Sequence, residues 1–175
     1  MKPFHHPSKK LFKIGYSYIN RGPNYKRFDD DQFGSWLVDF SKKTIPPIGG
    51  IRFKKYVDFD IKLPDSDQLI PPYIILISTF FETELNNPWS DKITPSQIIY
   101  WGDANGTKDD YMSYKGNKAL HNVSNLLNQY REMIPPILHF SSHDKGVLTF
   151  NGLCALDSIK KDKFFHKKKN IEIDN

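Results

Sequence analysis

The sequence has little cysteine and no long apolar segment. Its 175 residues include a single cysteine, Cys154, so no disulfide can form within the chain. No apolar run approaches the roughly 20 residues that a membrane-spanning helix needs, and no N-terminal stretch is typical of a signal peptide. These absences predict a cytoplasmic protein without a membrane partner.

The signatures of several enzyme classes are also missing. No Cys or His cluster has the spacing of zinc ligands, and there is no P-loop, glycine-rich dinucleotide loop or GxSxG elbow. We therefore predict no cofactor and no metal site. Asp58, Asp60 and Lys62 have an acid-x-lysine spacing that suits a Mg²⁺-dependent nuclease, but no upstream acid completes the set. An ordinary charged edge strand has the same pattern.

The charge balance favours a polyanionic partner without requiring one. The formal net charge is +5, which suits nucleic acid but is common in other basic domains. Part of the excess is concentrated near the C-terminus, in Lys160, Lys161, Lys163, Lys167, Lys168 and Lys169. These lysines predict either a phosphate-contacting cluster or a solvated tail.

Apolar and β-branched runs predict the strands. Residues 73–79 (YIILIST) have the composition of a strand that is buried on both faces. Residues 51–59 and 98–101 predict two more strands. Residues 137–140 and 147–153 predict a pair of strands joined by a turn that contains Asp-Lys-Gly.

One segment has the periodicity of a helix. Between residues 117 and 133, apolar side chains recur at spacings of three and four, and two prolines then end the pattern. The predicted apolar face consists of Leu120, Val123, Leu127, Tyr130 and Ile134. Several strands, one main helix and long loops predict an α+β domain built on a curved β-sheet or half-barrel.

Short motifs in a fixed order carry a family resemblance. They are residues 49–53 (GGIRF), 88–92 (PWSDK), 98–104 (IIYWGDA), 116–120 (GNKAL), 135–138 (PPIL) and 146–153 (GVLTFNGL). In this order they resemble the N-terminal domain of AspBHI-type modification-dependent restriction endonucleases. The resemblance covers about residues 49–156, and the first 45 residues contribute little to it.

The resemblance implies an SRA-like (PUA-type) fold and a function. Such a domain recognises a modified cytosine, 5-methylcytosine or similar, in double-stranded DNA by base flipping. The chain alone would not be an enzyme, because a nuclease domain in the same chain or a partner would cut the DNA. Residues 46–160 are then the recognition domain, 1–45 an N-terminal extension packing on it, and 161–175 a basic linker or tail.

The resemblance also implies a base-binding site. In SRA domains an aromatic and an aspartate precede a strand that ends in tyrosine and glycine. Trp89, Asp91, Tyr100 and Gly102 fit this plan, and Trp101 and Asp103 beside them complete the predicted base-binding set. Trp89 and Tyr100 would stack on the flipped base, and Asp91 would accept a hydrogen bond from cytosine N4, with Asp103 as the second choice. The alternatives are aromatics in the core and aspartates that order loops or are solvated.

Three further residues are predicted to contact the DNA backbone: Arg52, Asn117 and Lys118. Asn117 would cap the helix that begins there, and Lys118 would reach a phosphate. A second hypothesis is an RNA- or modified-nucleotide-binding module of the same broad fold group, and a third is a small enzyme centred on residues 58–62. Preference for modified duplex over RNA separates the first two, and metal-dependent cleavage would support the third.

Overall fold

The computed structural model describes residues 12–19, 50–52, 61–62, 69–80, 91–103, 111–160, 163–166 and 171–174. The α-helix in this part of the chain is α1 (Lys115–Ser124). Its strands are β1 (Ser17–Ile19), β2 (Gly50–Arg52), β3 (Ile61–Lys62), β4 (Leu69–Ile70), β5 (Ile74–Thr79), β6 (Lys92–Ile93), β7 (Ile98–Ile99), β8 (Ile137–Ser142), β9 (Val147–Cys154), β10 (Lys163–His166) and β11 (Ile171–Asp174).

A five-stranded mixed sheet forms the body of the protein. The strand order is β1-β9-β8-β5-β2, and β5 and β8 run parallel while the other neighbours are antiparallel. Two parallel neighbours need a long crossover, and the chain between β5 and β8 contains both the small β6–β7 ribbon and α1. The ribbon and the helix therefore both belong to this crossover.

The two faces of the sheet cover two apolar cores. Successive side chains of β5 alternate between them, as a fully buried strand requires. One core consists of Tyr18, Ile75, Ile77, Phe140, Leu148 and Phe150. The other lies under α1 and consists of Ile51, Ile70, Ile74, Leu76, Val123, Leu126 and Ile137.

The strand predictions for the centre of the sheet are confirmed. The first five residues of β5 are buried, and β8 and β9 pair as an antiparallel hairpin whose turn spans residues 143–146. The strand predicted over 51–59 begins at Gly50 and is described only to Arg52. The strand predicted over 98–101 is shorter, because β7 stops at Ile99 and pairs with the exposed β6.

The helix boundaries differ from the prediction of 117–133. Helix α1 begins at Lys115 and ends at Ser124, and two short 3-10 turns follow at Asn125–Leu127 and Arg131–Met133. A 3-10 turn has three residues per turn, so the apolar phase shifts after the helix. As a result Leu126 is buried where the periodicity predicted Leu127.

The α+β prediction is confirmed as a mostly β body with one main helix. Near the N-terminus, β1 is an edge strand of the main sheet, and Tyr18 contributes to the first core. Near the C-terminus, β10 and β11 form an antiparallel hairpin. None of the helices in the described ranges is long and apolar enough to cross a membrane.

Candidate functional site

Asp91 lies at the base of the β6–β7 ribbon. At the tip, Thr94 and Gln97 close a tight turn through their backbones, and the Thr94 hydroxyl bonds the Gln97 backbone. At the base, the backbone N–H of Trp101 donates to Asp91 Oδ1 at 2.8 Å. The Asp91 carboxylate therefore contacts the backbone of Trp101, the residue that carries the indole.

The surroundings of Asp91 make its carboxylate easy to protonate. Burial raises the pKa of Asp91 from 3.8 to about 6, and the nearby charge of Asp103 acts in the same direction. Hydrogen bonds from the Ser78 side chain and the Trp101 backbone oppose this rise, because they stabilise the ionised form. A half-buried carboxylate with a raised pKa, close to a second acid, is an arrangement found at binding and catalytic sites.

Asp103 ties three segments of the chain together. Its Oδ1 accepts from the backbone N–H of Ile51 at 3.0 Å, and its own backbone exchanges hydrogen bonds with the side chain of Asn117. Two glycines make room for the carboxylate: a Cβ at Gly50 or at Gly116 would lie 2.6 Å from one of its oxygens. Asp103 thus links its own segment to β2 and to α1 through bonds that are distant in sequence.

The helix-cap prediction for Asn117 is wrong. Helix α1 begins two residues earlier, with Tyr114 at the cap position, and that cap makes no side-chain hydrogen bond. Asn117 is instead a buried residue of the first turn. Its amide oxygen accepts from the backbone N–H of Asp103, and its amide nitrogen donates to the Asp103 carbonyl and, at 3.0 Å, to the Tyr111 carbonyl. Both polar atoms of Asn117 therefore serve the fold, whereas the next residue, Lys118, is exposed.

The two aromatics after β7 have different surroundings. Tyr100 is partly buried and packs against the core under α1. Trp101 is also half-buried, and its backbone N–H contacts the Asp91 carboxylate. Gly102 is half-buried and links them to Asp103. The described site therefore places the Asp91 carboxylate against the backbone of the Trp101–Gly102 segment.

Several predicted site residues belong to other parts of the chain than those that the structure describes. Trp89, Asp58 and Asp60 lie outside the described residues, as does the side chain of Arg52. The backbone of Arg52 is in β2, opposite Ile75. Lys62 is exposed on β3.

The sequence motifs assigned no role to three polar residues that are linked to the site: Ser78, His139 and Asn151. Ser78 and His139 are fully buried, and Ser78 Oγ lies 3.0 Å from His139 Nε2. The other ring nitrogen of His139, Nδ1, lies 2.9 Å from Asn151 Nδ2. Burial lowers the pKa of His139 to about 4, so the ring is neutral near pH 7. A polar residue inside an otherwise apolar buried strand was the available signal, since such groups need partners.

Comparisons with solved structures place this architecture in a class. A mixed sheet with one main helix is shared with recognition domains of restriction endonucleases. The matches include the MspJI restriction endonuclease in complex with a 27-mer oligonucleotide (TM-score 0.70, 18% identity, 94% of this chain and 40% of that chain). They also include the DNA recognition domain of the cytosine modification-dependent restriction endonuclease LpnPI (TM-score 0.61, 20% identity, 93% of this chain and 70% of that chain). A third match is the DNA modification-dependent restriction endonuclease AspBHI (TM-score 0.59, 17% identity, 95% of this chain and 73% of that chain).

The sequence assigns the chain to one family within that class. The family model described as restriction endonuclease AspBHI N-terminal matches residues 13–170, so the chain belongs to this family. This confirms the resemblance seen in the sequence motifs. The chain spans 40% of the MspJI chain, so it corresponds to one part of that protein. A comparison with curated proteins found no match.

Proposed function

We propose that this domain recognises a modified cytosine, 5-methylcytosine or similar, in double-stranded DNA by flipping the base into a site formed around Asp91. The proposal includes an SRA-like, PUA-type mode of binding and a role as the specificity module of a modification-dependent restriction endonuclease. Cleavage would then belong to a nuclease domain outside residues 1–175. The observation that carries the proposal is the half-buried carboxylate of Asp91 beside Trp101, in a chain of the AspBHI N-terminal family.

The chemistry of cytosine suits Asp91. A flipped cytosine presents an amine at C4, and an ionised carboxylate is a hydrogen-bond acceptor for such a donor. The Asp91 side chain already accepts from the Ser78 side chain and from the Trp101 backbone, which fix its orientation. A carboxylate has about four lone-pair sites, so capacity for a base remains after these two bonds.

Stacking in the site must offset the free energy that is lost when the base leaves the duplex. Flipping costs a few kcal/mol, and each base–aromatic stack returns roughly 1–3 kcal/mol. Trp101 is the favoured wall in the described part of the chain, because it adjoins Asp91 while Tyr100 packs against the core. Trp89 is proposed as the second wall from the sequence motif alone. Tyr100 then supports the site from the core side.

Phosphate contacts would supply the affinity that does not depend on sequence. Lys118 is exposed on α1, one residue after the Asn117 that bonds the Asp103 loop. Lys118 thus lies on the helix that is hydrogen-bonded to the Asp103 segment of the site. Arg52 and the C-terminal lysines are further candidates from the sequence. The methyl group at C5 offers apolar contact worth about 1 kcal/mol, so selection over plain cytosine should be about fivefold from that contact alone.

A titration against matched duplexes tests the function. Duplexes carrying cytosine, 5-methylcytosine or 5-hydroxymethylcytosine at one position are compared with single-stranded RNA of the same sequence. Tighter binding to a modified duplex supports the proposal. Equal binding to all duplexes, or tighter binding to RNA, contradicts it and favours an RNA- or nucleotide-binding module.

A pair of variants tests the wall assignment. Trp101→Ala should weaken binding to modified duplex by about five- to 150-fold, which corresponds to the loss of one stack. Tyr100→Ala should lower the melting temperature because Tyr100 packs against the core, and Tyr100→Phe should bind as the parent does. If Trp101→Ala binds modified DNA as tightly as the parent, the base is held elsewhere.

A further inference from the structure

A chain of hydrogen bonds runs through the sheet from Asn151 to Asp91. Asn151 lies 2.9 Å from one nitrogen of His139, Ser78 lies 3.0 Å from the other, and the Ser78 side chain bonds Asp91. These residues come from β9, β8, β5 and the base of the ribbon. His139 and Ser78 are fully buried on the side of the sheet that carries α1. These hydrogen bonds thus connect buried residues of the sheet to the proposed base site.

A β-bulge aims Asn151 at His139. In the pairing of β8 with β9, His139 is opposite Gly152 and Phe140 is opposite Phe150, so Asn151 is the additional residue. Gly152 has a φ of +135°, a conformation that side-chain-bearing residues rarely adopt. Bulges redirect side chains and are frequent beside functional sites. The backbone therefore deviates from regular pairing where Asn151 contacts the histidine.

The donors and acceptors give this chain a direction. Asn151 Nδ2 can only donate, so His139 Nδ1 must accept, and the proton of the neutral ring is on Nε2. His139 Nε2–H then donates to Ser78 Oγ. A serine hydroxyl has one proton, and that proton is left for Asp91. The side-chain oxygen of Asn151 accepts from the Ser141 hydroxyl at 3.4 Å, which orients the amide consistently.

We propose that Asn151, His139 and Ser78 are positioning residues that hold Asp91 as a hydrogen-bond acceptor and so make the site select a base that carries an exocyclic amine. This inference rests on the proposed function for its consequence in DNA binding. A base with a carbonyl at C4, such as thymine, would direct an acceptor at an acceptor. The buried chain would therefore set the discrimination between 5-methylcytosine and thymine, which differ at that position.

The groups around Asp91 determine the pH range in which its carboxylate is ionised and acts as a hydrogen-bond acceptor. In the described part of the chain, the charged group that acts on Asp91 is Asp103, which favours protonation, while the Ser78 and Trp101 bonds oppose it. His139 stays neutral because burial lowers its pKa to about 4. Without the hydroxyl of Ser78, the Asp91 carboxylate loses a donor. It should then take up a proton at a higher pH than in the parent.

The first test uses the free protein. Nitrogen-15 NMR of the parent should show the His139 proton on Nε2, and carbon-13 NMR should follow the titration of the Asp91 carboxyl group. In Ser78→Ala the Asp91 midpoint should rise by about one pH unit. Ser142→Ala is the matched control, because Ser142 is also a buried serine but donates to the backbone of the β8–β9 turn. A proton on Nδ1, or equal midpoints in Ser78→Ala and the parent, overturns the proposed orientation.

The second test uses DNA at pH 7. Duplexes that carry either 5-methylcytosine or thymine opposite guanine are bound by the parent and by both serine variants. The parent and Ser142→Ala should prefer 5-methylcytosine, and Ser78→Ala should reduce that preference by about tenfold and regain part of it at pH 8.5. An unchanged preference in Ser78→Ala overturns the selective role. A parent without any preference overturns the proposed function, and the free-protein test then decides the orientation of the chain by itself.

Discussion

Asp103 and Asn117 exchange two hydrogen bonds between a loop and the first turn of a helix. The Asp103 backbone N–H donates to Asn117 Oδ1 at 2.6 Å, and Asn117 Nδ2 donates back to the Asp103 carbonyl at 2.7 Å. The same amide also reaches the carbonyl of Tyr111. Because Asp103 holds the N–H of Ile51, this pair joins β2, the loop and α1 into one unit.

Replacing Asn117 by alanine should destabilise the protein substantially. The change removes three partly buried hydrogen bonds and leaves backbone groups of Asp103 and Tyr111 without that partner. We expect a loss of roughly 2–4 kcal/mol in the free energy of unfolding, measured by urea titration. Asn128→Ala is the control, since Asn128 is exposed and should change stability by less than about 0.5 kcal/mol. An equally small effect in Asn117→Ala would mean that water replaces the amide.

Gly116→Ala should also destabilise the protein, although alanine is the better helix former. Intrinsic propensity alone would favour alanine by about 1 kcal/mol. A Cβ at this position, however, would lie 2.6 Å from Asp103 Oδ2 and 2.7 Å from Ile51 Cβ. We expect a net loss of roughly 1–3 kcal/mol in thermal or urea unfolding. A variant more stable than the parent would show that the helix can move away from the loop.

The sequence predicted the parts of the fold that depend on local pattern. The buried run of β5 and the β8–β9 hairpin have apolar periodicity and turn residues that are sufficient by themselves. The ordered motifs also predicted the family. The start of α1 was missed because Gly116 is a poor helix former whose place is set by its contact with Asp103. That contact is tertiary and leaves no local pattern.

The supporting residues of the site depend on long-range geometry. Ser78 on β5 contacts His139 on β8, and no local feature of either segment indicates the other. The bulge at Asn151 is likewise a property of how β8 and β9 pair, so its contact with His139 could not be predicted. The sequence indicated Asp91 through its motif, but the residues that orient it are distributed over three strands.

Lys118→Ala should weaken binding to all duplexes alike. The ammonium group is exposed and, if it contacts one phosphate, its loss should reduce the slope of log affinity against log salt by about 1. Lys118→Arg keeps the charge and should retain both the affinity and the slope. Thermal stability should be unchanged in both variants because the side chain is on the surface. An unaltered salt slope in Lys118→Ala would exclude it as a phosphate ligand.

The buried carboxylate of Asp91 is predicted to reduce stability at neutral pH. Its pKa is about 6 in the folded protein against 3.8 ordinarily, so the folded state binds this proton more tightly than the unfolded chain does. The cost of keeping the group ionised is therefore complete above about pH 6 and is relieved as the pH falls from there towards 3.8. A difference of about two pH units corresponds to roughly 3 kcal/mol.

Asp91→Asn should accordingly be more stable than the parent at pH 7.5, by roughly 1–3 kcal/mol in urea unfolding, and the difference should narrow at pH 5. His139 has the opposite pH dependence, because burial depresses its pKa. Asp157→Asn is the control: Asp157 is exposed, so the stability of this variant should follow that of the parent at both pH values.

The same Asp91→Asn protein should lose its preference for modified duplex, because an amide donor replaces an acceptor facing the N4 amine. Gain of stability together with loss of recognition would mark Asp91 as a residue kept for binding. A variant that is less stable than the parent at pH 7.5 would instead show that the carboxylate supports the fold through Ser78 and Trp101.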